Sequence, residues 1–267
     1  MTDGSAPALR PDDLPAGLLA HAREFYASGA APVTPKTAAT VLLLRPAASG
    51  AGVEVYAIRR VPTMPFAPGM YAFPGGSVDP RDAADDLAWA GPDAAQWGAR
   101  LGQPPGAAQA IVCAAVREVF EESGVLLAGD AATVVRDVSD DDWEAQRAAL
   151  VARELGFAEL LRTRRLVLRA DLLAPWSRWI TPEFEPRRYD TYFFLARLPD
   201  GQRTRAVGGE ADEVRWLRPE ERRVLTMLPP TRATLAQIAG YGSIDELIAA
   251  ATERDAATPV IPRFTDH

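Results

Sequence analysis

Glu118, Glu121 and Glu122 constrain this chain more than any other residues in it. At i, i+3 and i+4 they share one face of an α-helix, where like charges repel, so local helix energetics do not favour the arrangement. Val112, Val116, Val119 and Phe120 mark the opposite face, an apolar stripe suited to a core. Gly124 suits the left-handed position that ends a helix. A dense acidic edge on a core-anchored helix is what a hard, oxygen-seeking cation such as Mg²⁺ requires. The competing explanation is a solvated acidic face, the usual meaning of a charge run.

With 267 residues, 48% of them hydrophobic, the chain can bury one large domain, or one domain with helical additions. It holds no run of 18 apolar residues, so no membrane contact is expected, and its polar, proline-bearing start does not read as a signal peptide. The single cysteine, Cys113, excludes an internal disulfide and a cysteine-based zinc site, and reads as a small buried hydrophobe. The two histidines, His21 and His267, lie in the terminal regions, which disfavours a histidine-based triad. A net charge of −7 argues against broad attraction to nucleic acid. Lys36 is the only lysine among 29 basic residues. The arginine fork suits phosphate, but most of these arginines read as surface solvation. Together these features lead us to expect a soluble, cytoplasmic protein.

Residues Leu14–Ser28 read as a helix followed by a linker to Pro35. Aliphatic and β-branched runs at Thr37–Arg45 and Val53–Arg60 read as strands, and Tyr71–Phe73 as a short strand entering a Gly75-Gly76 turn. A short helix is expected around Asp93–Leu101, then the acidic helix over Ala107–Ser123, a strand beginning at Val125–Leu127, and a helix over Asp140–Glu154. The second half predicts strands at Leu172–Ile180, Tyr189–Arg197 and Glu213–Leu217. Helices are expected at Pro219–Val224, Thr231–Ala239 and Ile244–Thr252, with an extended tail from Pro259.

Arg117-Glu118-Val119-Phe120-Glu121-Glu122-Ser123-Gly124-Val125 resembles the second half of the Nudix box, G-x5-E-x7-R-E-U-x-E-E-x-G-U, with U aliphatic. Phe73-Pro74-Gly75-Gly76 resembles the approach to its first half. Arg117 follows Gly76 by 41 positions where the family pattern has 14, so some 27 residues are inserted, read here as lying within 77–106. Counting back from Arg117 places Gln109 at the supporting Glu. A split box is similar to the subgroup of Nudix hydrolases that includes the peroxisomal coenzyme A diphosphatase. Phe66-Ala67-Pro68-Gly69, Trp179-Ile180-Thr181-Pro182, Arg188-Tyr189-Asp190-Thr191-Tyr192-Phe193-Phe194 and Leu228-Pro229-Pro230-Thr231 agree with it.

The resemblance implies an α/β fold: a Nudix-type α/β/α sandwich with a mixed sheet, plus an N-terminal helix and C-terminal helices. We expect an N-terminal helical extension over 1–35, the Nudix hydrolase domain over 36–255 and a tail over 256–267. The insertion is expected to be mobile or a subunit contact in a homodimer.

The implied chemistry is Mg²⁺- or Mn²⁺-dependent hydrolysis of a diphosphate in a small nucleotide, foremost coenzyme A or an acyl-CoA, with 3′,5′-ADP and 4′-phosphopantetheine as products for coenzyme A. NADH, ADP-ribose, a nucleotide sugar, a dinucleoside polyphosphate or capped RNA remain alternatives, as does a non-catalytic Nudix ligand sensor. Glu118, Glu121 and Glu122 are the implied metal ligands and catalytic residues, with Arg117 bridging a ligand carboxylate to hold its rotamer. Glu210, on the loop before a late strand, is a further candidate ligand, and Glu213 competes with it. The identity of the general base stays open. Gly75 and Gly76 are expected where a loop wraps the metal–phosphate site, by positive φ and close backbone approach. Arg59, Arg60, Arg187 and Arg188 could grip phosphates, against a plain surface role that is slightly favoured for each. Trp176, Trp179 and Phe184 could stack on a base, although core packing is the commoner role.

Overall fold

The computed structural model describes residues 8–9, 16–48, 50–64, 67–84, 87–206 and 211–265. In chain order the elements are β1 (Ala8–Leu9), α1 (Ala16–Ser28), β2 (Lys36–Pro46), β3 (Val53–Arg60), β4 (Tyr71–Ala72), β5 (Gly75–Ser77), β6 (Trp89–Ala90), α2 (Ala94–Leu101) and α3 (Pro105–Ser123). They continue with β7 (Ala128–Gly129), α4 (Asp141–Val151), α5 (Phe157–Arg164), β8 (Val167–Arg169), β9 (Leu173–Ile180), β10 (Tyr189–Arg197), β11 (Ala211–Leu217), α6 (Pro229–Ile238), α7 (Ile244–Ala251), β12 (Pro259–Val260) and β13 (Arg263–Phe264).

The main sheet runs β11-β3-β2-β10-β9-β12, with β4 added to β3 and β5 to β2. The β2–β10 pair is parallel and β10–β9 antiparallel, so the sheet is mixed. Alternation along β2 divides the core. Ala39, Val41 and Leu43 join α3 residues such as Val112, Val116 and Phe120. Leu42 and Leu44 join Leu235, Ile238 and Leu247 of α6 and α7 on the other face. Both faces are covered, which is why β2 and β3 read as nearly continuous apolar runs. This is the expected α/β/α sandwich.

The insertion is not a loose loop. Leu87, Trp97 and Leu101 are buried in the core, and Trp97 meets Phe194 edge to face at 5.9 Å. Asp93 caps α2 by accepting from the Gln96 N–H, and Gly102 ends it at φ 63°. The expectation of mobility is therefore corrected: two large apolar side chains and a capped helix tie the segment to α3.

Several other expectations change. Val125–Leu127 is buried but forms no strand, because the Gln202 side-chain amide serves both backbone groups of Leu126, at 2.8 and 2.9 Å, as a neighbouring strand would. The strand begins at Ala128 instead. Gly75-Gly76 is part of strand β5, paired with β2, not a free turn. Pro219–Arg223 is a 3-10 turn. Helix α5, started at Gly156 and burying Phe157, Leu160 and Leu161, was not foreseen. The tail is extended as expected, and it joins the structure: β12 pairs with β9 and β13 with β1. Leu14 and Pro15 of the expected first helix lie outside the described residues.

Candidate active site

Helix α3 lies across the sheet with its middle turns fully buried, and Gly124 at φ 71° closes it by donating to the Phe120 carbonyl. This fixes where Glu118, Glu121 and Glu122 emerge. Two arginines hold the same end. Arg147 donates to the Glu121 carbonyl at 3.2 Å. Arg205 donates to the Gly124 and Val138 carbonyls at 3.0 and 2.7 Å and to Glu144 at 2.6 Å. Positive charge at a helix C-terminus complements its dipole and its unpaired carbonyls.

Arg117 organises the acidic edge. Its Nη1 donates to Glu118 Oε1 at 2.7 Å and to Glu121 Oε1 at 3.2 Å. Its other edge grips Asp82, Nε to Oδ1 at 2.9 Å and Nη2 to Oδ2 at 3.0 Å, while Nη2 also reaches the Ser77 carbonyl at 3.0 Å. Glu122 turns elsewhere and accepts from the Gly75 N–H at 2.9 Å. Burial pushes the Glu118 carboxyl up to about 7, only partly opposed by the Arg117 charge, and Glu121 adds to the rise. Burial also raises Glu121 against the pull of Arg117. Burial works against the charge on Arg117, but the Asp82 hydrogen bonds and the surrounding carboxylates outweigh it and hold the guanidinium protonated. Cys113 is buried behind the site, its Sγ 3.8 Å from Asp82 Oδ1, and burial pushes its thiol up, as expected of an inert hydrophobe.

Asp82 is the residue that sequence reasoning missed. Counting forward from Gly76, Asp82 stands at the x5-E position of the Nudix box, so a signal was present. Gln109 instead donates to the Ala84 carbonyl at 3.2 Å and does not meet Arg117. The acid that holds Arg117 therefore comes from before the interruption, which places the extra residues after Asp82 and not from 77.

The glycines act by close approach alone, since neither has a positive φ. A Cβ on Gly76 would stand 2.5 Å from Glu118 Oε1, and one on Gly75 would stand 2.5 Å from the Ala39 carbonyl oxygen. Side chains at either position would fill the space that the carboxylate and β2 occupy.

Glu118, Glu121, Glu122, Arg117, Gly75, Gly76 and Arg60 all line one cleft of about 1160 Å³. Arg59 does not line it; its guanidinium is held by Asp212 at 2.7 Å and Glu213 at 3.0 Å on the rim of β11. Arg188 is buried and donates to the Thr181 and Val33 carbonyls at 3.0 and 2.8 Å, which ties the linker before β2 to the turn after β9. Both placements correct the expectation of phosphate contact: their donors are committed to the protein. Glu213, the rival to Glu210, is likewise engaged by Arg59. Glu210 and Phe66 lie outside the described residues. Trp176 is core, its Nε1 donating to Gln237 at 2.9 Å. Trp179 and Phe184 line the cleft, and the buried Trp179 Nε1 has no hydrogen-bond partner among the described residues. Arg81, Arg232 and Lys36, none of them singled out from sequence, also line it.

Among the described residues, no three histidine, cysteine, aspartate or glutamate side chains stand assembled as a metal cage. The donor set nevertheless fits a hard divalent ion. Three carboxylates leave one helix face, Glu118 packs against Gly76, Glu122 lies on the Gly75 N–H, and Arg117 already bridges Glu118 and Glu121 with positive charge. No described helix is long and apolar enough to cross a membrane.

A family model described as the NUDT19 Nudix domain matches residues 94–227, half of the chain. The Caenorhabditis elegans protein "Putative nudix hydrolase 7" is 31% identical over 168 residues, 63% of this chain and 48% of that one. Acyl-coenzyme A diphosphatase NUDT19 of Xenopus laevis is 25% identical over 239 residues, 73% of this chain and 62% of that one. The chain thus spans roughly half to three-fifths of the length of the curated relatives it matches. A crystal structure of a NUDIX hydrolase from Alicyclobacillus acidocaldarius is similar at a TM-score of 0.70 and 27% identity, over 85% of this chain and 99% of that one.

Proposed function

The chain belongs to the Nudix hydrolase family, and from that premise we propose that it is a Mg²⁺- or Mn²⁺-dependent diphosphatase acting on coenzyme A or an acyl-coenzyme A. The observation that carries this reading is the acidic edge of α3 opening, beside the glycine strand β5, into a cleft large enough for a whole nucleotide conjugate. The similarity to the Xenopus acyl-coenzyme A diphosphatase favours this substrate class over other diphosphates.

Glu118, Glu121 and Glu122 would hold the metal, with Glu210, which precedes β11 in the sequence, proposed as a further ligand. A divalent ion there would neutralise diphosphate oxygens and acidify a bound water. Arg117, fixed from behind by Asp82, sets the rotamers of Glu118 and Glu121. Gly75 and Gly76 let the backbone of β5 approach the carboxylates without a side chain intervening. Arg60 and Lys36 place positive charge on the cleft wall for the substrate's phosphates, whereas the guanidinium groups of Arg81 and Arg232 are engaged by Asp79 and by backbone carbonyls. In the reaction the water oxygen bonds one phosphorus while the bridging oxygen leaves with the other phosphate.

The test is metal-dependent turnover on coenzyme A, acyl-CoA, NADH, ADP-ribose, nucleotide sugars and dinucleoside polyphosphates, with Glu121→Gln and Glu122→Gln as controls. Cleavage of coenzyme A or its esters, lost in both variants, supports the proposal. Turnover of a different compound would replace the substrate and keep the site. Binding without turnover would point to a ligand sensor.

A further inference from the structure

The cleft does not stop at the carboxylates. A single row of residues crosses the sheet from the strand beside them. Ser77 of β5 is opposite Ala38, Ala38 is opposite Thr191, and Thr191 is opposite Trp179 of β9. All four line the same cleft. Three strand steps at about 4.8 Å each carry that floor about 14 Å away from β5. The character of the walls changes along the way. Arg60, Arg81 and the glutamates line the near end, whereas Leu18, Trp179, Ile180, Pro182, Phe184 and Pro262 line the far end, with Thr181 and Glu185 the polar residues of the turn after β9 beside them.

The far wall combines β9 and the turn after it with one residue from each terminal segment. Leu18 belongs to α1 and Pro262 to the tail, both outside the stretch that matches the Nudix family model. An aromatic cluster fastens them together. Tyr26 of α1 stacks on Phe264 at 6.1 Å, and Phe184 meets Tyr26 at 6.3 Å and Phe264 at 6.1 Å. Pairing of β1 with β13 adds a second tie between the ends. Phe184 is buried within this cluster and also faces the cleft, so the end wall is braced rather than draped.

We infer that this far end is a pocket for the apolar chain of the substrate, and that Leu18, on the part of the wall made by the terminal segments, limits the chain length it takes. The inference rests on the coenzyme A ester reading above and specifies which esters. Walls of this kind reward an apolar chain, since each methylene moved there from water tightens binding about fourfold. Growth of affinity with chain length must end where the chain meets the wall.

The test measures binding by calorimetry of S-acyl-pantetheines carrying two-, eight- and sixteen-carbon chains, compounds that lack the diphosphate and need no hydrolysis. Turnover of the matching coenzyme A esters is followed in parallel. Affinity of the unaltered protein should climb from two to eight carbons. Leu18→Trp should weaken the longest chain about tenfold or more and leave the two-carbon compound unchanged, and Leu18→Ala should shift the preference towards longer chains. Affinity that is flat with chain length, no detectable binding of any chain, or a profile that neither variant moves would overturn the inference. Length-dependent binding without cleavage of any ester would keep the pocket and remove the diphosphatase assignment. Cleavage with a flat profile would do the reverse.

Discussion

Replacing Asp82 by alanine tests the placement of the interrupted box directly. Asp82 is 1% exposed and Arg117 12%, so solvent does little to replace what is lost. Three hydrogen bonds to the carboxylate disappear, two from Arg117 and one from the Asp79 N–H, each worth roughly 1.5–3 kcal/mol. Breaking a buried pair by removing one partner costs about 3–5 kcal/mol when the remaining charge is uncompensated. Arg117 keeps Glu118, Glu121 and the Ser77 carbonyl, which moves the expectation to the lower end, about 3 kcal/mol. Freed on one side, the guanidinium should also settle closer to Glu118 and Glu121 and compete with a metal for them. Urea unfolding in EDTA reads the first effect, and calorimetric Mn²⁺ titration the second. Asp82→Glu, the acid of the family pattern, should recover part of both. Gln109→Ala, which removes only the bond to the Ala84 carbonyl, should cost about 1 kcal/mol or less. The reasoning fails if Asp82→Ala stays within about 0.5 kcal/mol, the range of an ordinary surface substitution, or if Gln109→Ala costs more.

Gly76→Ala should lower metal affinity about tenfold or more by driving a Cβ to 2.5 Å from Glu118 Oε1, while Gly17→Ala, with nothing within 4 Å, leaves it unchanged; Mn²⁺ titration of both variants decides. Burial raises the folded-state Glu118 carboxyl to about 7, above its unfolded value, so its contribution to stability is full below the unfolded value and is lost as pH rises through about 7. In EDTA the urea midpoint should therefore fall between pH 5.5 and pH 8, and Glu118→Gln should flatten that slope. Arg205→Ala removes donors to Glu144, Gly124 and Val138 and should destabilise by about 2 kcal/mol. Hydrogen exchange at residues 121–125 should quicken in that variant, and unchanged exchange there would count against the clamp.

The acidic helix was legible because every determinant is local. The spacing of the glutamates, the stripe from Val112 to Phe120 and the Gly124 stop lie within one short segment. Strands β2, β3, β9 and β10 were legible from apolar runs that both faces bury. What stayed hidden depends on distant partners. Gln202 replaces a strand for Leu126, and no pattern near residue 125 contains that fact. Arg188 looked available for phosphate until the backbone placed the Val33 and Thr181 carbonyls around it. Arg59 was paired by strand register with β11, which only the sheet reveals. Trp179 and Phe184 were noticed as aromatics, but their shared cleft depends on how the two chain ends fold back.

The interruption shows how a motif survives division. Residues 83–116 number 34 where the family pattern has seven between acid and arginine. Lengthening a flexible loop by that ratio costs only about 1.4 kcal/mol in closure entropy. Burying Trp97 and Leu101 returns roughly 1.5–3 kcal/mol each, before the capping of α2 is counted. The added segment can therefore support its own ordering without drawing on the site. What must be kept is the contact itself, Asp82 on Arg117, because that pair carries the geometry from β5 to α3 that seven intervening residues carry elsewhere. A sequence inserted between Asp82 and Arg117 is tolerable to the extent that it packs on α3 and leaves this pair intact. Loss of the pair should disable the site even with every glutamate in place.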